Sequence, residues 1–136
     1  MNSRKYVALR MFAAMETQDL ADVHEYIDAD FVHPETAEWC QEAGPQRFAA
    51  NVRWLNSVFS EVHMEVIRLA EEGDRIYVHL VLSGRHTGDL FGMSPTNRFF
   101  FQEQLHVIDT KNGKAVHHQE WRDNLTALRQ LGLAER

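Results

Sequence analysis

Cysteine occurs once, at Cys40, so no disulfide can close within the chain. That fits a reducing compartment, and a cytoplasmic protein is expected. Nothing around Cys40 resembles an activating helix terminus, so a structural role is expected rather than a nucleophilic one. Positive charge is also scarce: 14 Lys and Arg stand against 20 Asp and Glu, a formal net charge of −6. No basic run is present, which argues against nucleic acid or an anionic membrane surface as partner. No apolar run is long enough to span a bilayer. The opening Met1-Asn2-Ser3-Arg4-Lys5 is basic, but no small-residue cleavage site follows, so no signal peptide is expected. The glycines at 84, 88 and 92 lack the Lys-Ser/Thr of a phosphate loop and do not open a helix. Eight histidines raise the question of a metal, but none has a zinc-site spacing. His117 and His118 are adjacent, so on a strand they point to opposite faces. No metal and no cofactor is expected. Repeats, low-complexity tracts and interdomain linkers are missing too, and 136 residues suit one domain, 1–136.

What is present is a change of period. Tyr6, Leu9, Phe12, Ala13 and Met15 recur at helical spacing, with Ser3 as a candidate N-cap, and predict a helix over 3–17. Asp19 opens a shorter predicted helix with Leu20, Val23 and Ile27 on its buried stripe. Phe31-Val32-His33 suggests a short strand stopped by Pro34. Gly44-Pro45 starts a third helix reaching about Ser57, with Phe48, Val52, Leu55 and Phe59 on one face. From Glu61 the period becomes two. Val62, Met64 and Val66 form one strand and Ile76, Val78, Leu80 and Leu82 the next, around a turn at Glu71–Asp74. The end, Asn124 to Leu131, reads as a short helix closed by Gly132. Helices followed by strands indicate an α+β fold whose antiparallel sheet buries one face against the helices.

Residues Phe99 to Asp123 read as a long hairpin around Asn112-Gly113. Side chains alternate along a strand. Gln102, Gln104 and His106 therefore share a face of the first strand, and His118 and Glu120 share a face of the second. If the two faces coincide, imidazole, amide and carboxylate converge, and polar groups turned toward a core need partners or a function.

These residues resemble the SnoaL-like polyketide and ester cyclases across nearly the whole chain. The matching segments are Asp19–Asp22 with Ala29–Val32, Gly44-Pro45 and its helix, Glu72–Ile76, Gly84–Gly92 through Pro95-Thr96, and Leu128–Gly132. The resemblance implies a cone-shaped barrel of the nuclear transport factor 2 type, a pocket between curved sheet and helices, and a homodimer or tetramer. It also implies cofactor-free ring closure of the aldol type on an apolar, oxygenated small molecule. Carried over by position, Gln104 and His106 match a Gln-x-His pair, and Glu120 stands where those cyclases have aspartate. The longer side chain reaches about 1.5 Å further. Gln119 replaces an aromatic often found there.

Glu120 is thus the candidate base. An apolar pocket is expected to raise its pKa toward neutrality. Gln104 and His106 are the candidate donors to a developing oxyanion. The plainer alternative is a cross-strand His106–Glu120 pair without catalysis. His118 and Asp123 are secondary catalytic candidates; a sheet-face position and capping of the last helix are the competing readings. Gln102, His33, Trp39, Asn51, Trp54, Phe12 and Met15 are carried as substrate-contact candidates. Phe12 and Met15 are most simply core, and Asn51 and Trp54 fit dimer packing or solvent equally. His86 is expected to order a turn. His117, Gln119 and Trp121 face outward and suggest the dimer surface. Other readings are a non-catalytic binding or dimerisation module, and a dehydratase or epoxide hydrolase, the last with Arg122 and Asp123 as candidate partners.

Overall fold

The computed structural model describes residues 1–34 and 40–135. Its elements are α1 (Arg4–Thr17), β1 (Ile27–Val32), α2 (Pro45–Val58), β2 (Phe59–Glu72), β3 (Arg75–His86), β4 (Phe99–Lys111), β5 (Lys114–Arg122) and α3 (Asn124–Gln130), with a 3-10 turn at Val23–Glu25. The Ser3 hydroxyl accepts from Tyr6 N and caps α1, satisfying one of the orphan donors every helix start carries. The spatial order of the strands is β1-β5-β4-β3-β2. Strands β2 to β5 pair antiparallel in sequence.

Two hairpin turns set the register. Asn112 and Gly113 have φ of 52° and 75°, the doubly positive geometry of a primed turn that Asn-Gly favours. They leave Lys111 opposite Lys114 and His106 opposite Glu120. Register breaks in β2, between Ser60 and His63 and between Val66 and Arg68, bend that strand. The curved sheet closes over α1 and α2, and α3 packs on β4. The core lies in the concavity: Val7, Met11 and Phe12 from α1, Phe48 and Val52 from α2, and Ile76, Val78, Leu80 and Ile108 from the sheet.

The second predicted helix is replaced by the 3-10 turn and β1. Ile27 begins that strand, which runs parallel to β5 and makes the sheet mixed rather than purely antiparallel. Asp28-Ala29-Asp30 has poor strand propensity. Pairing with β5 overrides it, anchored by Ile27 and Phe31, both essentially inaccessible. Phe31 packs edge-on against Phe48 at 6.3 Å, and its truncation to alanine is worth ~3–5 kcal/mol. Phe59, placed by its spacing on the third helix, instead ends α2 in extended conformation and starts β2.

The connection from β3 to β4 is tied down by His86. Its backbone exchanges hydrogen bonds with Asn97 and Arg98, and its buried Nδ1 accepts from Thr96 N at 3.2 Å. Gly88 passes so near α2 that a Cβ would lie 1.9 Å from the Ser57 carbonyl oxygen. Only glycine fits there.

Candidate active site

A cavity of about 250 Å³ opens between the sheet and the helices. A void of about 150 Å³ admits benzene, so this one holds on the order of two fused rings. Leu55, Phe59, Leu82 and Phe100 form apolar walls, with Met15 and Met64 as adaptable filler. Gln102, Gln104, His106, Glu120 and Arg122 make one polar end. The cavity reaches Trp54 and Phe91, which stack at 5.3 Å. Phe91 is 72% exposed.

The hairpin register brings the predicted group together. Glu120 lies directly across from His106, and Arg122 across from Gln104. The Glu120 side chain is only 9% exposed. The histidine nearest its carboxylate, however, is His33 rather than His106. His33 Nε2 lies 3.0 Å from Oε1, while His106 Nε2 is 3.9 Å from Oε2. His33, carried as a substrate-contact candidate, is buried, 1% exposed, just past the end of β1. The parallel pairing of β1 with β5, with Val32 beside His117, carries it there. His118 stacks on it with centroids 4.3 Å apart and planes inclined 22°.

The protons of the remaining cluster follow from one fixed acceptor. The Asp123 backbone carbonyl can only accept, and Gln102 Nε2 lies 3.4 Å from it and 3.0 Å from Asn124 Oδ1. Gln102 must therefore present its oxygen to Gln104, whose Nε2 donates at 2.7 Å. Gln104 Oε1 then accepts from His106 Nε2–H at 2.6 Å. His106 Nδ1 is left as acceptor for His118 Nε2–H at 2.7 Å. All donors point one way, from His118 toward Asn124, and such chains strengthen their members. His118 Nδ1 ends the chain, buried and with no hydrogen-bond partner among the described residues.

This order keeps both rings neutral. Burial pushes His106 down to about 4, outweighing attraction to Glu120. A second proton on His106 would also point at the His118 N–H. Burial holds His118 well below the ordinary histidine value, and His33 and His106 lower it further. For Glu120, burial pushes the carboxyl up, but the hydrogen bond from His33 and attraction to the surrounding imidazoles bring it below the usual carboxylate range. The expected rise toward neutrality is thus reversed, because His33 supplies a donor that an apolar pocket would lack. Glu120 is ionised at neutral pH.

The expected oxyanion donors are largely committed elsewhere. The His106 Nε2 hydrogen goes to Gln104 and one amide hydrogen of Gln104 goes to Gln102. Met15, Asn51, Trp54 and Gln102 line the cavity. Phe12 does not; it packs edge-on against His106 at 5.0 Å, behind the polar cluster. His118 is likewise behind the wall. Asp123 is turned away and caps α3, accepting from Thr126 N at 3.1 Å. Trp39 lies outside the described residues. Sequence reasoning missed the place of His33 beside Glu120 and the wall residue Asn124, and it named Arg122 only for an epoxide hydrolase. Arg122 shares the Glu120 face by simple alternation.

Among the described residues, His33, His118 and Glu120 bring ligand-type atoms within 4.8 Å of one another. A metal lies in the plane of each imidazole that binds it. Two rings stacked at 22° and 4.3 Å cannot both aim lone pairs at one point between them. The cluster does not fit a metal.

A family model described as SnoaL-like polyketide cyclase matches residues 5–131. The aklanonic acid methyl ester cyclase AcmA of Streptomyces galilaeus is 40% identical over 124 residues, covering 90% of this chain and 86% of the relative. The nogalonic acid methyl ester cyclase of Streptomyces nogalater is 42% identical over 123 residues, covering 90% and 92%. Among solved structures, TsrD from Streptomyces laurentii superposes with a TM-score of 0.85 at 22% identity, covering 96% of this chain and 95% of that one. With the fold, the concave pocket and the sequence match in agreement, the chain belongs to the SnoaL-like polyketide cyclase family.

Proposed function

We propose that this protein is a polyketide cyclase that closes a ring in a polyketide methyl ester by cofactor-free, aldol-type chemistry, with Glu120 as the base. The single observation that carries the reading is a buried carboxylate at the polar end of an otherwise apolar cavity, 3.0 Å from a buried histidine nitrogen. The methyl ester comes from the names of the relatives that the chain resembles at 40–42% identity.

The chemistry follows from this geometry. The Glu120 carboxylate takes a proton from carbon beside a carbonyl, leaving an enolate and a neutral carboxyl group. The enolate carbon attacks a second carbonyl of the same molecule and forms the carbon–carbon bond. The resulting alkoxide recovers the proton from Glu120. Substrate and product are isomers, and nothing is oxidised or reduced. The Gln102–Gln104–His106–His118 chain fixes the floor against which the reacting groups rest, and preorganised polar floors of this kind lower barriers without moving during reaction. The apolar walls exclude the water that would compete for the enolate.

The same proposal includes a cytoplasmic homodimer. No helix of the described residues is long and apolar enough to cross a membrane. Phe101, Leu105 and Trp121 stand 59%, 42% and 54% exposed on the outer face of the sheet, a patch suited to a second copy.

The test uses methyl benzoylacetate, a small aromatic β-keto ester, in D₂O. The protein is expected to accelerate hydrogen–deuterium exchange at the carbon between the carbonyls, seen by NMR, and Glu120→Gln to remove that acceleration. Unchanged exchange in a folded Glu120→Gln variant would take Glu120 out of the mechanism.

A further inference from the structure

We propose that Arg122 is a further catalytic residue: its guanidinium holds the enolate oxygen of a substrate whose reacting carbon lies between two carbonyl groups. The inference rests on the cyclase reading above and adds to it the group that carries the developing charge.

The polar end of the cavity has a deficit of free positive charge. Burial keeps His106 and His118 neutral around pH 7, and their chain commits both N–H hydrogens to neighbours. Asn51 and Asn124 offer neutral amides only. Among the described residues that line the cavity, Arg122 is the sole lysine or arginine. Its Nε is 4.0 Å from Glu120 Oε2, beyond hydrogen-bond range, and it makes no hydrogen bond to the described residues. Its side chain is 35% exposed, so it enters from the rim with its donors unspent. Asp123, the next residue, is held by its cap on α3 and fixes where β5 ends.

Charge moves during the reaction rather than accumulating. Before proton transfer it sits on the Glu120 carboxylate. Afterwards Glu120 is neutral and the charge is on the substrate oxygen. A cation close to the carboxylate but not bonded to it can follow that displacement, which is the differential stabilisation catalysis requires. The strength of the base points to the same substrate. A carboxylate held below its usual range is a weak base, matched to carbon made acidic by two flanking carbonyls and not to a simple ketone. A delocalised enolate of that kind suits a planar guanidinium better than a compact ammonium.

The experiment compares two planar probes by calorimetric titration. 4-Hydroxycoumarin is ionised at neutral pH and mimics the enolate; coumarin has nearly the same shape and no charge. The intact protein is expected to bind 4-hydroxycoumarin at least about tenfold more tightly than coumarin, a preference of about 1.4 kcal/mol. Arg122→Met is expected to erase the preference, leaving coumarin binding within about twofold, and Arg122→Lys to restore part of it. Arg122→Met should also slow exchange of methyl benzoylacetate. A preference that survives Arg122→Met, or an equal loss for both probes, overturns the proposal, as does an intact protein with no preference. Glu120→Gln separates this from the base reading. It is expected to stop exchange while keeping or increasing the preference for the anion. Exchange that persists in Glu120→Gln refutes the base without touching the binding result.

Discussion

The two faces of the β4–β5 hairpin reverse the usual distribution of polarity. The inner face carries Gln102, Gln104, His106 and His118, each 6% exposed or less, and Glu120. The outer face carries Phe101, Leu105 and Trp121 in the open. Burying polar groups costs several kcal/mol unless each finds a partner, and here nearly every hydrogen is spoken for in one directed chain. A sheet built only for stability would place valine or leucine at those inner positions. The proposed chemistry gives the inner face its reason, and the proposed dimer gives the outer face its own.

The largest expected effect on this contrast comes from acid. Buried neutral histidine binds its proton less readily in the folded chain than in the unfolded one. Between about 6.5 and about 4 the unfolded chain therefore holds more protons, and stability falls as the pH is lowered through that window. His106 alone accounts for about 3 kcal/mol over the window, and His118 acts in the same direction. Glu120, depressed in the folded state, adds stability above the ordinary carboxylate range that is lost only below it. Urea unfolding at pH 7 and pH 5 should show the loss, and His106→Gln should flatten it. Equal stability at both pH values would mean that the rings take up protons in the fold as readily as in the unfolded chain.

A smaller effect is expected at His33. His33→Asn weakens the donor to Glu120 Oε1, which raises the Glu120 carboxyl and moves the acidic limb of the rate profile to higher pH. A drop in rate of about tenfold should accompany it, since one hydrogen bond to a charged group is worth ~1.5–3 kcal/mol. A rate profile with an unmoved acidic limb would deny His33 its place at the carboxylate.

Smaller again is Asp123→Ala. It should lower the urea midpoint modestly through loss of the α3 cap, with turnover largely retained. A collapse of activity with the fold intact would restore Asp123 to the chemistry. The smallest effect belongs to the outer face. Trp121→Ser should leave the stability of the single chain within about 0.5 kcal/mol and shift the sedimentation mass from dimer to monomer. A monomeric mass before the substitution would remove the dimer proposal.

Much of the scaffold was legible in the sequence where local signals and tertiary structure agree. The Ser3 cap, the apolar stripe of α2 and the Asn112-Gly113 turn are of this kind, and strict alternation from that turn places His106 opposite Glu120. What was not legible depends on pairing between distant segments. Two aspartates mask the first part of β1, of which only Phe31-Val32 was read as strand, and only its parallel alignment with β5 reveals that His33 arrives beside Glu120. The reversed pKa of Glu120 depends on the same contact. The commitment of Gln104 and His106 to each other depends on side-chain direction along the chain, fixed by one backbone carbonyl at Asp123. Sequence pattern carries no information about that choice.

The most direct measurement follows ring closure itself. A linear polyketide methyl ester is incubated with the protein and with Glu120→Gln at equal concentration, and the cyclised isomer of unchanged mass is quantified by chromatography and NMR. The expected result is product with the native chain and a rate lower by about 10²–10⁴ with the folded variant. Equal rates from the two proteins would contradict a mechanism in which the buried carboxylate moves the proton.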